Sequence, residues 1–332
     1  MKIYYIASGY RRPIDMLDNA LMKALVGRYP ETRFFLLNRS PIQHLLPEIE
    51  QYAPDLVLTL CGPKSHLPVD LVHRIRNMGI ETAVWFTDDP YAIDNAFAVA
   101  AAYDVVFTID SGCIPFYERI GCKRVFHLPL GTDPDVFRPF TTHPTYHSDV
   151  CFVGTGYQNR ITFMEELLRH LDREVKVQIV GHFWDTLKLS DGCIPNIRKK
   201  WVNTPETVRY YNGAKVVLNI HRSHDDAFLD KNKTGVPGYS INNRTFDIAA
   251  CNAYQLTDFR PDLEQCYTLG EEITSFSSPK ECAEQIHAFV HDDSARTSMA
   301  KKAYDRTLQR HTFANRLETM LGILHLTPNK RF

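Results

Sequence analysis

The chain has 332 residues, 44% apolar and 23% charged, which is room for two hydrophobic cores and a mixture that excludes a disordered or fibrous polymer. Lys and Arg number 38 against 39 Asp and Glu, so no global field draws the molecule to nucleic acid or to an anionic membrane. Any anion it binds has to be held by a local site.

From the first residues, β-branched and aromatic runs alternate with helical spacing. MKIYYIASGYRRP opens as a strand over residues 2–7 and is too short an apolar run for an export signal. A helix is expected at Asp15–Arg28, followed by strands in RFFLLN, DLVLTL, ETAVWFT, DVVFTI and KRVFHLPL. Such alternation predicts a parallel sheet covered on both faces. The pattern breaks over residues 131–147, rich in Gly, Pro, Thr and His, and is read as an interdomain linker. It then restarts with DVCFVG, a helix near residues 161–171, VKVQIVG, a helix opening at NTPETVRYYNGA, KVVLNI, a helix starting at Asn242, Asn243 and Arg244, YQLT, EEITSF and helices from Pro279 onward. The expected organisation is an amino-terminal Rossmann-like domain over 1–130 and the linker over 131–147. A second such domain follows over 148–310, with a terminal helix within 311–332 packing back toward the first. The segment HRSHDDAFLDKNKTGVPGYS is polar and without periodicity, either a disordered loop or a functional one.

No stretch approaches the roughly 18 apolar residues of a membrane span. Eight cysteines, Cys61, Cys113, Cys122, Cys151, Cys193, Cys251, Cys266 and Cys282, are scattered without C-x-x-C or zinc-type spacing, which points to reduced thiols in the cytoplasm. The D-x-D at Asp133–Asp135 lies in the linker, where a cap or hinge fits better than a magnesium cage, so no metal is expected.

FVGTGYQNR places Gly154, Thr155 and Gly156 between a strand and a helix, a turn through which backbone N–H groups approach a phosphate, or merely a tight βα turn. Asn159 stands where a dinucleotide fold needs a third small residue, and Gly181 and His182 stand where it needs an acid, which disfavours a dehydrogenase. In NNRTFDIAACNAYQLTD, Asn242 and Asn243 suit a helix cap. Arg244 adds a fork of donors, and Asp247 a carboxylate one turn on, which together suit a nucleotide: phosphates on the helix end, ribose hydroxyls on the acid. Arg160, and Arg222 beside His221, are further candidates for the phosphates. Trp184 in GHFW, with His182 beside it, is either a lid over the base of the nucleotide sugar or core. Asp88 and Asp89 in WFTDDPY end a strand, where they serve an acceptor hydroxyl as base, orient the sugar, or cap the next helix.

FVGTGYQNR, VVLNI, NRTFDIAACNAYQLTD, DLEQCYTLGEEITSFSSPKECAEQI and RTLQRHTFANRLETML resemble the nucleotide-sugar domain of group 1 GT-B glycosyltransferases, especially the CgeB-type spore-maturation family. LPLGTDPDVFRP is similar to the linker preceding that domain, and the first half resembles the family mainly through VWFTDDPY. The resemblance implies two Rossmann-like α/β/α domains facing a cleft, a nucleotide-diphosphate sugar as donor, no cofactor, and retention at the anomeric carbon. It implies an unidentified glycan, protein or small-molecule acceptor. A ribose-binding acid falls at Asp247, whereas the sugar-facing acid eight residues earlier is replaced by Tyr239. A nucleotide-sugar epimerase and a non-catalytic nucleotide-sugar binder remain as alternatives.

Overall fold

The computed structural model describes residues 1–11, 14–189, 192–225 and 231–326. Part of the polar segment 221–240 therefore lies outside the described residues. The chain divides into two compact units: Met1–Leu130 with His224–Ser240 and Phe313–Phe332, and Gly131–Ser223 with Ile241–Thr312. Residues 224–240, counted with the second half in the sequence reading, belong to the first unit, and residues 131–147 belong to the second.

In the first unit the strands are β1 (Ile3–Ala7), β2 (Arg33–Leu36), β3 (Leu56–Cys61), β4 (Glu81–Phe86), β5 (Val105–Thr108) and β6 (Val125–His127). They form one parallel sheet in the order β2-β1-β3-β4-β5-β6. Both faces are covered, which is why β1 and β3 read as unbroken buried runs. Alternate β1 residues enter two different cores: Tyr4 and Ile6 join Phe35, Val57 and Val84, while Ile3 and Tyr5 join Leu21, Leu25 and Trp85. The helix Phe313–Leu326 completes the second core with Leu317, Met320 and Leu324.

Segment 231–240 is strapped to this unit through acids. Asp94 Oδ2 accepts the N–H of Lys233 at 3.0 Å, and Asp110 accepts the N–H groups of Gly112, Tyr239 and Ser240 at 3.0 Å.

The second unit contains β7 (Ser148–Val153), β8 (Val177–Val180), β9 (Asn196–Arg198), β10 (Ala214–Asn219), β11 (Gln255–Asp258) and β12 (Thr274–Phe276), all paired in parallel as β12-β11-β10-β7-β8-β9. β9 is a strand that the sequence pattern did not suggest. Its helices start where side-chain caps appear: Asn203 accepts the N–H of Glu206, and Ser278 that of Glu281. On Gln158–His170 the residues Ile161, Met164, Leu167 and Leu168 recur at helical spacing and pack on Val150, Phe152 and Leu218.

The strand order decides where a ligand can lie. From β7 the chain steps outward through β8 and β9, then returns to place β10 on the other side of β7. The carboxyl ends of β7 and β10 therefore flank the reversal point, where loops diverge to opposite faces and leave a crevice. Gly154 follows β7 and His221 follows β10.

Candidate nucleotide site

After β7, the turn Gly154–Gly156 is laid against the turn after β8. A Cβ at Gly181, whose φ is +149°, would stand 2.0 Å from the Gly154 carbonyl oxygen, and one at Gly156 would stand 2.7 Å from that of Phe183. Only glycine permits the approach. Beneath it, Trp184 is 1% exposed, donates Nε1–H to Gly154 O at 2.9 Å, and meets Phe152 edge-on. It is a wall of the turn rather than a base-stacking surface, because no ring face is open. His182 is exposed beside it.

Arg160 is also turned to structure. Its Nε donates to Ile220 O and its Nη1 to Thr155 O, both at 2.9 Å, and the side chain is 3% exposed. This ties the end of β10 to the turn after β7. Its guanidinium lies 4.9 Å from the Tyr157 ring and 5.5 Å from that of Phe152. Arg222 lies 4.6 Å from the same Tyr157 ring, and Arg244 5.7 Å from that of Phe152. Three arginines from separate parts of the chain are thus gathered around one glycine turn, with Arg222 and Arg244 half-buried.

The helix Asn243–Ala250 begins at this crevice. Asn242 is its N-cap, with Oδ1 accepting the N–H of Thr245 at 3.2 Å. The N–H groups of Asn243 and Arg244 make no hydrogen bond among the described residues, as the first turn of a helix requires, and they carry the positive end of its dipole. Arg244 is held by Nη1–H to Asn219 Oδ1 at 3.2 Å. Asn219, fully buried, shares its amide with Asn242, Thr245 and Gln255, so the helix start, β10 and β11 are locked by one polar network.

His221 is 1% exposed. Asp258 Oδ1 lies 2.6 Å from its Nδ1 and accepts its main-chain N–H at 2.8 Å, while its Nε2 accepts the N–H of Asn242 at 3.0 Å. Burial lowers the imidazole pKa, against the pull of Asp258. Asp258 is driven up by burial but is held below the usual carboxylate range by His221 and Arg260. His221 is therefore not available to a ligand as a proton donor.

Asp247 departs from the expected ribose contact. It is 6% exposed, with Oδ1 accepting from Thr132 Oγ1 at 2.8 Å and Oδ2 from Asn243 Nδ2 at 3.1 Å. A ribose would have to displace those partners. Burial pushes its pKa up to about 8, against the Thr132 hydrogen bond and Arg244.

In the first unit, Asp89 is 3% exposed and accepts from Thr108 Oγ1 at 2.6 Å and Tyr117 Oη at 2.8 Å. Its pKa rises to about 7 through burial, opposed by those two bonds. Asp89 is thus a buried post rather than a base for an acceptor, whereas Asp88 is only half-buried and lines a small hollow with Gly62, Lys64, Ser65 and Asn95. The Tyr239 side chain is 42% exposed. Asp133 Oδ1 accepts the N–H of Asp135 at 3.0 Å, a turn cap.

A cavity of about 790 Å³ opens at the other, amino ends of β7 and β10. Of the cations that line it, Lys215 pairs with Asp149 at 2.8 Å and Arg296 with Asp293, and it lies away from the glycine turn. Among the described residues no group of three or more His, Cys, Asp or Glu could hold a metal ion. Among the described residues no helix is long and apolar enough to cross a membrane.

Sequence reasoning missed Asn219, Thr245, Gln255, Asp258 and the role of Tyr157. The available signal was a polar residue ending an otherwise apolar strand, in VVLN and in QLTD.

A family model described as "Glycosyl transferase-like" matches residues 160–322. The spore protein CgeB of Bacillus subtilis (strain 168) is 30% identical over 329 residues, covering 98% of this chain and 99% of that protein. Among solved structures, sucrose-phosphate synthase from Thermosynechococcus elongatus superposes with a TM-score of 0.64 at 12% identity, covering 98% of this chain and 99% of the other. Anabaena HepE in complex with UDP-glucose gives 0.62 at 12% identity, covering 98% and 100%.

Proposed function

The chain belongs to the CgeB family and is a glycosyltransferase with the GT-B fold, and from that premise we propose that it moves a sugar from a nucleoside-diphosphate sugar to an acceptor hydroxyl. One observation carries the reading: the Arg244 guanidinium lies 5.7 Å from the ring of Phe152, two residues before the glycine turn, on a helix whose Asn243 and Arg244 N–H groups make no hydrogen bond among the described residues, in a sheet with the strand reversal of a Rossmann-type fold.

The reaction develops negative charge on the departing diphosphate. Donors fixed before the reaction stabilise that charge without having to reorganise, and removing one such donor typically lowers kcat about 100- to 1000-fold. In this reading Arg244, the two helix N–H groups, Arg222 and the turn Gly154–Gly156 meet the diphosphate, and no metal takes part. Arg160 and Trp184 hold the turn in shape. Asp88 serves the acceptor hydroxyl, and the sugar leaves with its anomeric configuration retained. UDP-glucose is the first donor to try, because HepE and T4 phage BGT are described in complex with it. The eight buried free thiols suit a reducing compartment, and we place the enzyme in the cytoplasm.

Calorimetric titration with UDP, GDP, ADP, CDP and TDP, repeated with EDTA, tests donor binding and its independence of metal. NMR of the first product reads the anomer. Absence of binding by every nucleotide removes the proposal. A second reading, binding without transfer, is favoured by Tyr239 at the position where the family resemblance implies an acid. It predicts bound nucleotide sugar that is never turned over.

A further inference from the structure

We propose that His221 and Asp258 are a positioning pair that holds the first turn of the helix Asn243–Ala250 aimed at the donor diphosphate. The proposal rests on the donor reading above and adds the device by which that site keeps its shape.

The geometry leaves the imidazole one arrangement. Nε2 already accepts the N–H of Asn242, so it carries no proton, and the ring is neutral with its hydrogen on Nδ1, donated to Asp258. Asp258 Oδ1 also takes the main-chain N–H of His221, and Asn159 Nδ2 donates to the His221 carbonyl at 2.9 Å. The ring is therefore fixed on several sides and closed to solvent, too enclosed to be a catalytic residue. It bridges the exit of β10 to the residue that caps the phosphate-facing helix, across 21 positions of sequence. Chain connectivity cannot fix the helix start over that span; the Asn219 amide holds the side chains of Asn242 and Thr245, and the imidazole holds the main chain of Asn242.

The charged groups facing the ring are Asp258 and Arg260, from and just beyond β11, and Arg244 from the helix. Protonation of Nε2 would set a ring N–H against the N–H of Asn242. The contact to the helix cap would be lost, and the first turn would loosen while the rest of the sheet stayed intact. Because burial and the two arginines disfavour the charged ring, this happens below the ordinary histidine range rather than at neutral pH.

The test compares wild type, His221→Gln and His221→Ala by titration with UDP between pH 7.5 and pH 5. Gln offers an amide oxygen to the Asn242 N–H and does not titrate. Wild type is expected to lose about ten-fold in affinity toward the acid end beyond the loss shown by His221→Gln, which carries the nucleotide's own titration alone. His221→Ala is expected to bind UDP about ten-fold more weakly at pH 7.5, with Gln restoring most of the loss. Superimposable pH profiles for wild type and Gln, or wild-type affinity in a folded Ala variant, overturn the proposal. Should no nucleoside diphosphate bind wild type, the donor reading fails by itself. Hydrogen exchange at the Asn242 amide then decides the positioning claim: protection lost in His221→Ala supports it, and unchanged protection overturns it.

Discussion

Thr132 Oγ1 donates to Asp247 Oδ1 at 2.8 Å, joining the strand-poor stretch after Leu130 to the helix that starts the candidate site. The acid it meets is buried and has a pKa near 8, far above the ordinary carboxylate value of 3.8. In the unfolded chain the proton leaves near 3.8; in the fold it stays until about pH 8. Stability is therefore greatest in acid as far as this group is concerned and falls as pH rises between those values, by up to about 1.4 kcal/mol per pH unit, and levels off above them. Asp247→Asn keeps the shape and removes the titration. Its melting temperature should pull ahead of wild type from pH 5 to pH 8 and keep a constant lead at higher pH, as followed by circular dichroism.

Arg160 and Arg244 both lie against the Phe152 ring, at 5.5 and 5.7 Å, and should fail differently. Arg160→Ala strands the Ile220 carbonyl oxygen and removes one of the two donors to Thr155 O, which keeps the N–H of Tyr157, so it should lower stability by about 2 to 3 kcal/mol in urea titration. Arg244→Ala removes a long hydrogen bond from a half-exposed guanidinium to Asn219 and its contact with the Phe152 ring, and should leave stability within about 1 kcal/mol, while weakening UDP binding by about 1.5 to 3 kcal/mol in calorimetry. Equal losses of stability in both would make Arg244 structural.

Gly181 offers a steric test of the site's scaffold. With φ at +149° and a new Cβ 2.0 Å from Gly154 O, Gly181→Ala forces the two turns apart. The expected result is a loss of stability above about 2 kcal/mol together with lost nucleotide affinity. Gly121→Ala, where φ is +97° but nothing lies within 4 Å, should lose stability only through the backbone and should bind normally.

The adjacent acids of the first unit separate in the same way. Asp89→Ala leaves the Tyr117 hydroxyl without its acceptor and Thr108 with only its longer bond to Asp110 O at 3.2 Å, and should cost about 2 kcal/mol in denaturant titration. Asp88→Asn should leave the fold and UDP affinity unchanged and lower transfer from UDP-glucose at least ten-fold. A turnover equal to wild type, in a coupled assay of UDP release, removes Asp88 from the reaction.

Much of the architecture was legible because it depends on local pattern. Unbroken apolar runs in β1 and β3 can only be strands buried on both faces, and Ser278 with Glu281, or Asn203 with Glu206, mark helix starts by their spacing alone. β9 escaped notice because NIR is three residues long and two of them are polar. At the site, the glycine turn and the run Asn242–Arg244 stood out because few other residues suit a phosphate.

Which of those residues faces a ligand was not legible, because residue type does not reveal partners. Arg160 and Arg244 are the same side chain in similar company, yet one ends on two main-chain carbonyls and the other stays half-open. Asp247 and Trp184 are turned inward by groups 115 and 30 residues away, Thr132 and Gly154. Sequence by itself settled the elements and the chemistry on offer, since period and turn preference act between near neighbours. Only tertiary structure settled which donors are already engaged, since that depends on long-range packing that brings each side chain its carbonyl, carboxylate or open space.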